Sequence, residues 1–203
     1  MAPVRAGLKN QPPIAGAILA GGGSRRFGAD KGLAETPQGP LAGIVLAALR
    51  AAGVDPVVLI GGSSELSAAL AIPSIPDQNP GAGPLAGLGT ALGWASGVTR
   101  IVVAPCDMPL ITSDVIRTLV NRGNNTVASI AMVDDRLHPI LACWPTQRWA
   151  AVKGLLRDGE RRMQAAIETG DYVAVPVDSL AVRDADCPED LALLLNSAPV
   201  DLE

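Results

Sequence analysis

The chain has 203 residues, enough for one domain of ordinary size to bury a core without disulfide staples. Nearly half of it is apolar while aromatics make up only 2%, so the core has to come from Ala, Val, Leu and Ile. A net charge of −4 and 16 scattered basic residues exclude the basic patch that a nucleic-acid or anionic-membrane partner needs, and no apolar run approaches the ~20 residues of a membrane helix.

In chain order, the polar, Pro-containing opening "MAPVRAGLKNQPP" reads as a flexible leader over residues 1–13, not a secretory signal. A single domain is expected over 14–196, with a flexible tail over 197–203. Cys106, Cys143 and Cys187 are far apart and lack C-x-x-C spacing, which fits a reduced, cytoplasmic chain with neither a disulfide framework nor a structural zinc.

Ile14 to Leu19 is a buried strand ending at three glycines, and Leu41 to Ala52 is a helix stopped by Gly53. "PVVLI" (Pro56 to Ile60) is a second strand, followed by a helix from Ser63 to Leu70 with Ser63 or Ser64 as its cap. Pro73 to Pro76 is extended and leads into "DQNPGAGP". Helix returns from Leu85 to about Ala95. "RIVVAP" (Arg100 to Pro105) is the cleanest strand, and Ser113 caps a helix to about Asn121. "TVASIAMV", a "DDR" turn and "HPILACW" form a hairpin-like insertion. Helices at Thr146 to Arg157 and Met163 to Thr169, a strand at Tyr172 to Val175 and a helix at Pro188 to Asn196 complete the chain. The βαβα order with near-continuous apolar strands predicts an α/β fold, a Rossmann-like three-layer sandwich on a mostly parallel sheet.

In such a sheet ligands sit beyond the carboxyl ends of the strands. Three unusual loops fall there: "AGGGSRRFGADK", "DQNPGAGPLAGL" and "PCDMP". The first has neither the G-x-x-x-x-G-K-[ST] spacing of a P-loop nor the G-x-G-x-x-G dinucleotide fingerprint. What remains is a glycine loop of backbone N–H groups with three cations, Arg25, Arg26 and Lys31, suited to a triphosphate whose charge shifts during reaction. Asp107, just past an apolar strand, reads as a Mg²⁺ ligand facing phosphates or as a turn cap. Asp77 reads as an acceptor for ring N–H and amino donors of a purine, or as part of a tight turn.

His138, the only histidine, begins a strand near the crevice and is either structural or part of the site. "DGERRM" sets Arg161 and Arg162 beside a Gly turn, as a second anion site or a solvated helix start. "RDADCPEDL" places Asp184 and Asp186 before a helix, where one carboxylate joins a metal shell or caps the helix.

"LAGGGSRRFGADKG", "GPLAGL", "PCDMP", "HPI", "GERRM" and "DADCPEDL", in this order, resemble the molybdenum cofactor guanylyltransferases over about Ile14 to Leu195. The resemblance implies a Mg²⁺-dependent enzyme, with Mn²⁺ as a substitute, that passes GMP from GTP to molybdopterin-bound molybdenum cofactor and has molybdoenzyme apoproteins as further partners. It implies that Leu19, Ala20, Gly21 and Gly22 contact the nucleotide together with Asp77, Gly83, Pro84 and Leu85, and that Lys31 holds phosphates. Lys31, Arg25 and Asp107 are then the catalytic set, and Asp107 and Asp186 the metal pair. His138, Arg161, Arg162 and Asp184 are expected on the acceptor side. Two segments depart from the family pattern: Ile60 stands where an Asn is usual, and Asp184-Ala185-Asp186-Cys187-Pro188 where the guanylyl branch reads Asn-x-Asn-Thr-Pro.

Overall fold

The structure is a computed structural model that describes residues 13–21, 30–79 and 81–197. Its centre is β1 (Ile14–Leu19), buried along its whole length. Strand alternation sends its side chains to two different cores. Ile14 and Ile18 join one apolar cluster, and Ala15, Ala17 and Leu19 join another.

On either side of β1 lie β4 (Val57–Ile60) and β6 (Arg100–Pro105), both parallel to it and both buried throughout. The short β5 (Ser74–Ile75) extends the sheet beyond β4. The other half carries β7 (Ala128–Val133), β8 (Arg136–Pro145) and β9 (Tyr172–Pro176), giving the order β5-β4-β1-β6-β8-β7-β9. Only β8 runs against the rest. A separate two-stranded ribbon, β2 (Glu35–Thr36) and β3 (Gly39–Pro40), follows the first loop.

The first core is covered by α1 (Leu41–Ala51), α2 (Ser64–Leu70) and α4 (Ser113–Arg122), which bury Val45, Leu49, Leu66, Ile116 and Leu119 against the sheet. The second is covered by α3 (Pro84–Trp94), α5 (Trp149–Arg157) and α6 (Met163–Ile167) through Leu85, Leu88, Leu92, Val152 and Ile167. This is the expected three-layer α/β sandwich. A third, smaller cluster seats α7 (Pro188–Ser197) on the start of α1 through Leu41, Ala185, Leu191 and Leu194.

Two local expectations are corrected. The cap of α4 is Thr112, not Ser113: Thr112 has extended backbone and its hydroxyl accepts from the Val115 N–H at 3.4 Å. The hairpin over 128–145 is no appendage, because β8 pairs with β6 and so occupies the interior of the sheet. Its turn is made by Asp134 and Asp135, both with positive φ, as a two-residue connection requires to match strand twist.

Candidate active site

The carboxyl ends of β1, β4 and β6 are tied to one another by the backbone. The Ala20 N–H donates to the Ile60 carbonyl at 3.0 Å, Gly61 to Ile75 at 2.9 Å and Cys106 to Leu19 at 3.1 Å. The loops leaving those ends line a single cleft that includes Leu19, Ala20, Gly21, Asp77, Gly83 and Pro84. Lys31, Asp107 and Asp186 line the same cleft. Leu85, expected there too, is wholly buried below the cleft floor. Gly22, Arg25 and Arg26 lie outside the described residues.

Close approach explains two glycines. At Gly61, with φ of +73°, a Cβ would sit 3.1 Å from the Gly21 backbone. At Gly83, with φ of +78°, it would sit 3.1 Å from the Arg161 carbonyl, so the segment bearing Arg161 docks on the entry to α3.

Lys31 opens a single 3-10 turn whose cap is Asp30. One Asp30 oxygen accepts from Gly32 N–H at 3.1 Å and the other from Ser63 N–H at 3.0 Å, which fastens the end of the glycine loop to the start of α2. From that anchor the Lys31 ammonium donates to Asp107 Oδ2 at 2.6 Å and to Asp186 Oδ1 at 3.2 Å. Burial pulls the Lys31 pKa down, but the hydrogen bond and charge of Asp107, then those of Asp186, carry it above its ordinary value.

Asp107 is held between two buried neighbours, Cys106 and Met108. Its backbone carbonyl accepts from Ala185 N–H at 3.0 Å. Ala185 is itself fully buried in the α7 cluster, so the anchor between Asp184 and Asp186 is apolar and the two carboxylates flank it. Asp186 reaches Lys31, whereas Asp184 lines a neighbouring groove with Arg183 and Asp190. Burial and the charge of Asp107 push the Cys106 thiol up to about 12, which keeps it neutral and inert.

The donor set suits a hard divalent cation. Asp107 Oδ1 is buried and takes no hydrogen bond, leaving a carboxylate lone pair with no assigned use. Two carboxylates from separate loops already converge on one cation, the Lys31 ammonium. Mg²⁺ is commonly bound this way, by one or two carboxylates plus waters and substrate phosphates. Among the described residues no group of three His, Cys, Asp or Glu is placed to hold a metal, so a dedicated all-protein cage is absent from that part of the chain.

Asp77 forms an Asx turn, accepting from Asn79 N–H at 3.0 Å, and lines the cleft. His138 and Ile140 arrive on the amino-terminal end of β8, which projects past the carboxyl end of β6 because the two strands are antiparallel. There the register on β7 jumps, with Ile130 facing Ala142 and Ala131 facing His138. Pro139, which has no N–H to give the ladder, sits in that bulge, and Ile140 next to it forms cleft wall. Burial, then the charge of Arg136, lowers the His138 pKa against an opposing pull from Asp184. Arg162 is engaged by Glu160 at 2.8 Å, at the exposed rim.

Sequence reasoning passed over Asp30, Ile140 and Thr90. Asp30 had a signal, an Asp two residues before a Gly at a loop end. Ile140 and Thr90 had none, since their placement depends on a bulge and on which face α3 presents.

A lysine bonded to two carboxylates from separate loops, at the switch point of an open α/β sheet, fits a nucleotide-handling transferase. Residues 16–175 match the model of the MobA-like NTP transferase domain, and the chain belongs to that family. A probable molybdenum cofactor guanylyltransferase of Opitutus terrae is 34% identical over 186 residues, 89% of this chain and 88% of that protein. Among solved structures, molybdopterin-guanine dinucleotide biosynthesis protein A of Archaeoglobus fulgidus superposes with a TM-score of 0.72 at 23% identity, covering 89% of this chain and 96% of that one. A Mycobacterium tuberculosis protein in complex with manganese gives 0.63 at 23% identity, covering 91% and 99%.

Proposed function

We propose that this chain transfers GMP from GTP to the terminal phosphate of molybdopterin-bound molybdenum cofactor, with release of pyrophosphate. The observation that carries the reading is Lys31 held between Asp107 and Asp186, at the strand ends where a triphosphate would lie. The base and the acceptor follow from the guanylyltransferase relatives.

An oxygen of the acceptor phosphate attacks the α-phosphorus, the bond to the bridging oxygen breaks, and the electron pair leaves on pyrophosphate. A phosphate monoester is already ionised at neutral pH, so the reaction needs positioning and charge neutralisation rather than a general base. Lys31, held charged by its two carboxylates, offsets the negative charge of the triphosphate. Asp77 accepts from the ring N–H and amino group of guanine. Gly83 and Pro84 let the amino end of α3 approach the nucleotide, and Gly21 does the same for the end of β1. His138 and Asp184 border the acceptor side, with Arg161 and Arg162 at its rim, and Arg25 and Gly22 complete the set on the glycine loop. Mg²⁺, or Mn²⁺ in its place, would be held by Asp107 with Asp186 and supplies a Lewis acid for phosphate oxygens.

The test is pyrophosphate release from GTP and Mg²⁺ with molybdopterin-bound acceptor. Asp107→Asn is expected to lower kcat by about 100-fold or more with little change in melting temperature. Near-normal turnover by that variant would remove Asp107 from the chemistry. GTP binding without any pyrophosphate release by the unmodified chain would make it a binding module instead.

A further inference from the structure

Thr90 lies in the middle of α3 and is buried, one of few buried polar residues in the described chain. A threonine inside a helix ordinarily returns its hydroxyl to the carbonyl four residues back, and Thr90 Oγ1 does reach the Ala86 carbonyl at 3.1 Å. The same oxygen also faces out of the helix. It accepts from the Gln78 N–H at 3.3 Å and lies 3.4 Å from Asp77 Oδ1. A hydroxyl has one proton, so it serves either Ala86 or Asp77, while its lone pair takes the Gln78 N–H in both cases. One buried side chain therefore touches the backbone and the carboxylate of the loop proposed to read the base.

We infer that Thr90 is a positioning residue that sets the Asp77 carboxylate for two-point recognition of guanine, and so contributes to base selectivity without touching the nucleotide. This rests on the reading of Asp77 given above. Asp77 Oδ1 accepts from the Asn79 N–H within its own turn, and the Thr90 hydroxyl donates to the same oxygen from the helix behind it whenever its proton is turned from Ala86. The Asx turn alone fixes the carboxylate relative to its loop. Thr90 fixes the loop relative to α3, whose amino end is part of the same cleft. Two parallel hydrogen bonds to the ring N–H and the 2-amino group need both oxygens in place, whereas a base lacking the 2-amino group asks for one.

The ratio of affinities for GTP and inosine triphosphate, which lacks only that amino group, reads this placement. It is measured by calorimetry on the full chain without acceptor. Thr90→Val keeps the shape and removes the hydroxyl, and is expected to reduce the GTP preference by about threefold or more. Thr90→Ser keeps the hydroxyl and should restore it. Asp77→Ala is measured in parallel and should abolish the preference. Equal weakening of both nucleotides in Thr90→Val, or a fall in melting temperature with the ratio intact, would reduce Thr90 to a packing role and overturn the inference. An unchanged ratio in Asp77→Ala would overturn the base-reading assignment itself, and the inference with it.

Discussion

Lys31 is where the charges of the site meet. Two carboxylates raise its pKa against the effect of burial, so its folded value lies above the ordinary 10.5. A group whose pKa rises on folding contributes stability that is complete below the unfolded value and fades as pH climbs through the folded one. Melting temperatures of the unmodified chain and Lys31→Met should therefore differ by a constant amount from neutral pH up to about pH 10.5 and converge above it. A difference that does not shrink at alkaline pH would show that the ion pairs add nothing to the fold. The same substitution removes a cation from the oxygens a metal would use. In the absence of nucleotide, Lys31→Met should bind Mn²⁺ more tightly than the unmodified chain by paramagnetic resonance titration, and bind GTP more weakly. That Lys31 and Asp107 line the cleft was legible in the sequence, because a lysine after a glycine loop and an aspartate after an apolar strand have no packing reason to be there. Their direct contact was not legible, since the two are 76 positions apart and meet only through strand pairing.

At the scale of elements, the site is built by strand ends held in register. Gly61 ends β4 with φ of +73° and its α-carbon face against Gly21. Gly61→Ala forces a side chain into left-handed backbone and against that neighbour, costing about 1–2 kcal/mol. The expected result is a melting temperature several degrees lower and a raised KM for GTP, because the Gly21 end of the glycine loop is displaced. Unchanged values of both would show that the approach is slack. Glycines at these ends were visible as strand terminators, but which of them touches another backbone was not. The hairpin shows the same division. Apolar runs on either side of "DDR" mark β7 and β8, and the two positive-φ aspartates close the turn. Nothing local says that β8 rather than β7 joins β6, because that choice depends on long-range pairing. Nor does the sequence announce the bulge at Pro139 that turns Ile140 into the cleft.

For the whole molecule, seven strands with helices on both faces follow from the order of apolar runs, and Ala-, Val-, Leu- and Ile-rich cores on each side replace the missing aromatics. The two cores bring three loops to one cleft, and α7 adds a fourth segment through buried Ala185. Ala185, buried between Asp184 and Asp186, anchors the segment that carries the two carboxylates. The chain is a guanylyltransferase by family, and the proposed base readers in this cleft are Asp77 and the "GPLAG" entry to α3. Turnover with GTP, CTP and UTP, compared side by side as kcat/KM with molybdopterin-bound acceptor and Mg²⁺, tests this reading most directly. A preference for GTP of about 100-fold or more is expected, because buried polar groups shaped for one base are left unpaired by another. A kcat/KM for CTP equal to or above that for GTP would contradict it.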